Sequence, residues 1–220
     1  MATTTQTVSI DADGVPLAGD LALPEAARGL VCFAHGSGSS RHSPRNRQVA
    51  EVLQRAGLAT LLIDLLGEDE ERVDRVTAEL RFDIPLLGRR VTAATDRLGE
   101  RADTAHLPLG LFGASTGAAA ALVAAAKRAD RVRAVVSRGG RPDLAGSALS
   151  AVRAPVLLIV GGEDRQVLGM NEQAAAELTA DHQVLVIPGA THLFEEPGTL
   201  EAAADAARDW FLRMSADGGR

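Results

Sequence analysis

A single α/β domain, with a mostly parallel central sheet flanked by helices on both faces, is the fold this sequence predicts. Three observations point to it. Apolar runs free of polar interruption (GLVCFAHG, LATLLIDLLG, LPLGLFG, VRAVVSRGG, APVLLIVGG) alternate with stretches of helical periodicity. That is the pattern of strands buried on both faces and joined by crossover helices. The opening segment VSIDADGVPLAGDLALP instead reads as two strands around Ala12-Asp13-Gly14, an antiparallel hairpin at the sheet's N-terminal edge. Finally, 220 residues, 46% apolar and 24% charged, with no repeat or low-complexity linker, fit one domain over 1–220.

The elements follow in order. After the hairpin, GLVCFAHG is a buried strand ending in glycine, and RNRQVAEVLQRAG is a helix with Val49, Val52 and Leu53 on one face and Gly57 as its stop. LATLLIDLLG is the next strand. The acidic run GEDEERVD at 67–74 reads as a solvated loop or a helix start, and FDIPLLGRRVTAATDRL contains an amphipathic helix. LPLGLFG is a strand that runs into an Ala-rich helix, GAAAALVAAAKRA. VRAVVSRGG and APVLLIVGG are strands, the second followed by a helix near MNEQAAAELTA. HQVLVIPGA is the last strand, and TLEAAADAARDWFLRM is the closing helix.

Composition removes several classes of function. A net charge of −6, from 23 basic and 29 acidic residues, argues against a general nucleic-acid or anionic-membrane surface. The one cysteine, Cys32, excludes an intrachain disulfide and sits in an apolar run as a core thiol. MATTTQTVSI lacks the basic-then-apolar pattern of a secretory leader, and no apolar run reaches bilayer length, so the cytoplasm is the expected location. No His/Asp/Glu grouping has metal-ligand spacing, and neither metal nor cofactor is expected.

The stretch GLFGASTGAAAAL carries the chemistry. Gly113-Ala114-Ser115-Thr116-Gly117 has the pattern G-x-S-x-G between a buried strand and a helix. A turn that tight holds its serine at strained backbone angles, and only small neighbours avoid a clash. The serine hydroxyl then stands above the carboxyl end of the sheet, at a helix N-terminus that favours developing negative charge. A phosphate-cradling loop is excluded: there is no Gly-Lys-Ser/Thr and no G-x-G-x-x-G. A plain helix-capping serine stays open as the alternative. A nucleophilic serine needs a base, and the base needs an orienting acid. His192 in IPGATHLFEEPG and Asp164 in IVGGEDRQV each fall just past a strand, on the same sheet edge as Ser115. Glu163 is the fallback acid.

Taken together, Ser115 in G-x-S-x-G, Asp164 in GGEDRQV, His192 in GATHLF and the HGSG after the first central strand resemble the α/β-hydrolase fold, over essentially the whole chain. Within it the sequence resembles the dienelactone hydrolase-like group, with Ser115 where that group typically has a cysteine. The resemblance implies a serine hydrolase that cleaves a small carboxylic ester or lactone through an acyl-enzyme. It implies an oxyanion hole formed by the backbone N–H groups of Thr116, the residue after the nucleophile, and Ser37 in the HGSG loop. It also implies no cap domain, because only RGGRPDLAGSALSAVRAP separates the sixth and seventh strands, and a site that is open or partly covered by the 67–82 segment. Five Phe, one Trp and no Tyr leave little to line a large aromatic pocket, so small or polar acyl groups are expected. His35 reads as structural. Arg41, Arg138 and Arg141 fall on the same edge, with Arg45 and Arg47; they are either ion-paired scaffold or a fork for a substrate carboxylate. Two rival functions share the fold: a thioesterase, amidase or acyltransferase using the same triad, and a catalytically silent homologue that binds a small ligand.

Overall fold

The computed structural model describes residues 2–217, with side chains described to residue 213. Eight strands among these residues form one sheet in the order β1-β2-β4-β3-β5-β6-β7-β8. β1 (Thr3–Ala12) and β2 (Val15–Pro24) form the edge hairpin, and β2 also pairs antiparallel with β4 (Leu58–Ile63). From β4 onward every pairing is parallel, through β3 (Gly29–Ala34), β5 (Leu109–Ala114), β6 (Val132–Arg138), β7 (Val156–Gly161) and β8 (His182–Ile187). The hairpin turn is one residue shorter than expected. Ala12 pairs with Val15, and Asp13 and Gly14 take φ of 58° and 80°, the twisted two-residue turn that matches strand twist.

Among the described residues six α-helices cover the sheet: α1 (Pro44–Arg55), α2 (Glu68–Thr77), α3 (Ile84–Glu100), α4 (Thr116–Lys127), α5 (Arg165–Glu177) and α6 (Thr199–Asp217). Two apolar layers result. Leu87 and Val91 of α3, Ala119–Ala121 and Leu122 of α4, and Ala174 of α5 pack one face. Val49 and Leu53 of α1 with Ala203, Ala207 and Phe211 of α6 pack the other. The alanines of α4 have a purpose. Its residues from Thr116 to Leu122 are all buried, so small side chains let a helix lie directly on the central strand β5.

The structure sharpens two of these readings. The acidic run at 67–74 is mostly helix: Gly67 N donates to Glu70 Oε2 at 2.8 Å, four acidic residues occupy the first turn, and only Asp74 among its side chains is buried. HQVLVI is a strand but not a buried one. As the last strand, β8 has a single neighbour, and among its residues only Ile187 is fully covered. Between β6 and β7 the chain makes only a 3₁₀ segment, Pro142–Ala151, kinked at Gly146, and no cap domain.

Candidate active site

The parallel register brings the carboxyl ends of five strands to one edge: Ala34 pairs with Gly113, Ala114 with Arg138, Arg138 with Ile159, and Gly161 with Ile187. The loops leaving those strands carry Ser37, Ser115, Gly139, Asp164 and His192. Such an edge is where open α/β sheets place ligands.

Ser115 has φ 51° and ψ −124°, outside the comfortable regions for an L-residue. The strain is held by the packing around it. Its carbonyl accepts from Ala118 N at 3.1 Å and Arg141 N at 3.0 Å, fixing the turn to α4 and to the loop after β6. A Cβ at Gly113 would fall on the backbone of Ala118, and one at Gly117 on the carbonyl oxygens of Ala34 and His35. Both glycines of the motif are therefore demanded by close approach. The side chain of Ser115 makes no capping bond to the helix it precedes.

Asp164 occupies the N-cap position of α5, where an aspartate ordinarily accepts from its own helix. Here it makes no such bond. Its Oδ2 accepts instead from His192 Nδ1 at 2.7 Å, with side-chain exposures of 15% and 41%. Accepting at Nδ1–H fixes the tautomer and leaves Nε2 as the basic nitrogen. Glu163 makes no such contact. The His192 loop is tied down by Glu196, which accepts from Thr191 N at 3.0 Å and Thr191 Oγ1 at 2.7 Å; those bonds hold its carboxyl below the usual range. Phe194, buried at φ 55°, anchors the far side of the loop.

Ser115 and His192 wall the same cavity of about 260 Å³, together with Gly36, Ser37, Ser39, Ser43, Arg45, Asn46, Arg138 and Leu193. Among the described residues, however, no hydrogen bond joins Ser115 Oγ to His192. Neither Ser37 N–H nor Thr116 N–H has a backbone acceptor among them, and Thr116 is the first residue of α4, where such donors are free by construction. A second cavity of about 280 Å³ opens on the other side of Ser37, lined by Leu65, Leu66, Leu87 and Thr116 and, from the 67–82 segment, by Glu71, Asp74, Arg75 and Arg81.

His35 is half-buried on the wall of this second cavity. Its Nδ1 donates to Gly36 O at 2.9 Å and its Nε2 accepts from Leu65 N at 3.1 Å, so it clamps the Ser37 loop to the end of β4. Burial lowers its pKa, with partial opposition from the Gly36 bond and from Asp64 and Glu71.

The three candidate arginines part company. Arg41 is ion-paired with Asp64, which also accepts from its backbone N–H at 2.6 Å. Arg141 forks onto Asp143 at 2.7 Å to 3.2 Å. Only Arg138 reaches the cavity without a carboxylate. Sequence reasoning missed Asn46, a buried polar residue in the first turn of α1. It lies at an apolar-spaced position of that helix, the one signal that could have singled it out.

Against known proteins, the model of the dienelactone hydrolase family matches residues 17–216. The chain belongs to that family. A crystal structure of dienelactone hydrolase from Anabaena variabilis is 59% identical, with a TM-score of 0.94 over 96% of this chain and 98% of that one. Est1E from Butyrivibrio proteoclasticus shares the fold at 19% identity, with a TM-score of 0.79 over 96% of this chain and 99% of its own. A Mycobacterium tuberculosis protein named "Putative phosphoribosyl transferase" is 60% identical over 205 residues, which are 93% of this chain and 45% of that protein. This chain thus spans less than half the length of that relative. No helix among the described residues is long and apolar enough to cross a membrane.

Proposed function

We propose that this chain is a serine hydrolase of small carboxylic esters or lactones, with Ser115 as nucleophile, His192 as general base and then acid, and Asp164 as the group that orients and stabilises the imidazole. The observation that carries the reading is the 2.7 Å His192–Asp164 bond on the wall of the cavity that also holds a strained, uncapped Ser115.

In this mechanism Ser115 Oγ closes on His192 Nε2 as substrate enters, since catalytic hydrogen bonds are often long before a substrate binds. Oγ attacks the carbonyl carbon while Nε2 takes its proton. The oxyanion falls toward the N–H groups of Ser37 and Thr116, where preorganised donors act most strongly. Collapse of the intermediate expels the alcohol, which takes the proton back from His192. Water repeats the sequence on the acyl-enzyme, releasing the acid and restoring Ser115.

The name of the Mycobacterium tuberculosis relative belongs to a protein more than half of which lies outside the matched region, whereas the hydrolase family model spans residues 17–216 of this chain. The hydrolase reading therefore takes precedence for this unit. A thioesterase or acyltransferase would use the same residues and differ in acceptor, which product analysis with competing acceptors separates. The test of the reading is release of p-nitrophenol from p-nitrophenyl acetate by wild type and by folded Ser115→Ala. We expect turnover in the first and a loss approaching ~10⁶ in kcat in the second. Equal rates in both would remove Ser115 from the mechanism.

A further inference from the structure

The cavity holding Ser115 and His192 has two guanidinium groups on its wall, from Arg45 and Arg138, and no carboxylate. Arg138 ends β6 and is only 7% exposed. Its Nη2 donates to Asn46 Oδ1 at 3.4 Å, and its guanidinium carbon lies 5.8 Å from the centre of the Phe194 ring. Nε and Nη1 are buried with no partner. Burial and the nearby Arg45 pull its pKa down to about 10, so it is still a cation at neutral pH. Other arginines at this edge have acids: Arg41 has Asp64, Arg47 has Asp20 and Arg141 has Asp143, while Arg45 reaches the exposed Glu195 at 3.4 Å. A buried cation without a counter-ion is expensive, and an arriving anion recovers that cost.

A second, independent feature faces the same space. Ser43, Arg45 and Asn46 are the cap and first turn of the 12-residue helix α1. Pro44 has no N–H and Asn46 N donates to Ser43 Oγ at 3.3 Å, so the Arg45 N–H is the donor left in the first turn, at a helix end whose partial positive charge suits an oxyanion. Two guanidiniums, a helix N-terminus and the hydroxyls of Ser39 and Ser43 match a tetrahedral dianion with three acceptor oxygens. A planar carboxylate monoanion would use one fork and leave the rest idle.

The two cavities also assign the ends of an ester. A leaving group must sit where His192 can hand it a proton, and His192 lines only the arginine cavity of the two. The acyl group then enters the other cavity, beside Leu65, Leu66, Leu87 and Thr116.

We propose that the substrate is an ester whose alcohol part carries a phosphate monoester, seated on Arg138, Arg45 and the N-terminus of α1. This rests on the hydrolase reading given above. In the reaction the Ser115 Oγ–acyl bond forms and the acyl–O(alkyl) bond breaks. The electron pair leaves on the alcohol oxygen, and His192 supplies its proton. The phosphate ester is not cleaved and leaves on the free alcohol.

The experiment measures acetate release by the full chain from 2-acetoxyethyl phosphate, acetoxyacetate and 2-hydroxyethyl acetate, with p-nitrophenyl acetate as reference. The expected order of kcat/KM is phosphate, then carboxylate, then neutral, with about 100-fold across the series, as charge-assisted contacts in a partly desolvated site give. Inorganic phosphate competes with p-nitrophenyl acetate beyond sodium chloride at equal ionic strength. Arg138→Lys and Arg138→Gln shrink the phosphate-to-neutral ratio; should both fail to fold, the wild-type series and the competition decide. Similar kcat/KM for all three acetates, carboxylate equal to or above phosphate, or a ratio unmoved in folded Arg138→Gln would overturn the phosphate site. With Ser115-dependent turnover of p-nitrophenyl acetate intact, the hydrolase reading survives those results. With no ester turned over at all, both fall together.

Discussion

Replacing Asp164 by asparagine isolates one hydrogen bond. In the wild type the carboxylate accepts from His192 Nδ1 at 2.7 Å, which places the basic lone pair on Nε2. An asparagine amide can instead donate to Nδ1, moving the imidazole proton to Nε2 and removing the acceptor that the proposed mechanism requires for Ser115. The developing imidazolium also loses its counter-charge. The same substitution in the serine protease triad costs ~10⁴ in kcat, which is about 5.5 kcal/mol at 1.36 kcal/mol per decade. Folding should change little. Asn matches Asp in volume, and Asp164 makes no capping bond to α5 that could be lost. The assay is kcat/KM on p-nitrophenyl acetate for wild type, Asp164→Asn and Glu163→Gln, with thermal melts on all three. Asp164→Asn should fall by three to four decades () with a melting temperature close to wild type, and Glu163→Gln should stay near wild type. If Asp164→Asn keeps activity within tenfold (), or Glu163→Gln is the damaging change, the assignment of the acid is wrong.

Gly117→Ala would push a methyl group into the carbonyl oxygens of Ala34 and His35, backbone that cannot rotate away. We expect a loss of about 3 kcal/mol in urea unfolding, at the upper end of overpacking costs; an unchanged midpoint would contradict the packing argument. His35 titrates below its ordinary value because its half-buried ring is largely desolvated. Between that lowered pKa and the unfolded value near 6.5 the unfolded chain binds more protons, so stability is complete above about 6.5 and falls as pH drops below it. Urea midpoints from pH 7.5 to 5.5 should show that slope, and His35→Gln should flatten it; equal slopes would refute it. Cys32 is fully buried, with its thiol pushed up to about 12 by desolvation, so iodoacetamide on the native protein should leave esterase activity intact. Rapid inactivation would point to a cysteine mechanism.

Much of this was legible in the sequence, for physical reasons. Strands buried on both faces must be apolar throughout, so β3, β4, β5 and β7 announce themselves, and a strand-to-helix turn around Ser115 must be made of small residues. What could not be read depends on neighbours in space. HQVLVI is legible as the last strand, but only its place at the sheet edge explains why most of it is exposed. Arg41, Arg138 and Arg141 look alike in sequence, and only the fold shows that Asp64 and Asp143 neutralise two of them. Asp64 lies 23 residues from Arg41 and Asp143 two from Arg141, so spacing offers no common rule. The GEDEERVD run reads as either a solvated loop or a helix start, and the fold decides for the helix. Its helix gains from the acidic first turn and from Asp74, which accepts from Leu80 N at 2.8 Å and from Arg81 N at 3.0 Å.

The central claim, that Ser115 is the nucleophile, is tested most directly by a fluorophosphonate probe followed by intact-mass and peptide mass spectrometry. One adduct per chain is expected, on the peptide containing Ser115, with none in folded Ser115→Ala and strong suppression in Asp164→Asn. An adduct on another residue, or esterase activity that persists in a chain carrying no label, would contradict the account.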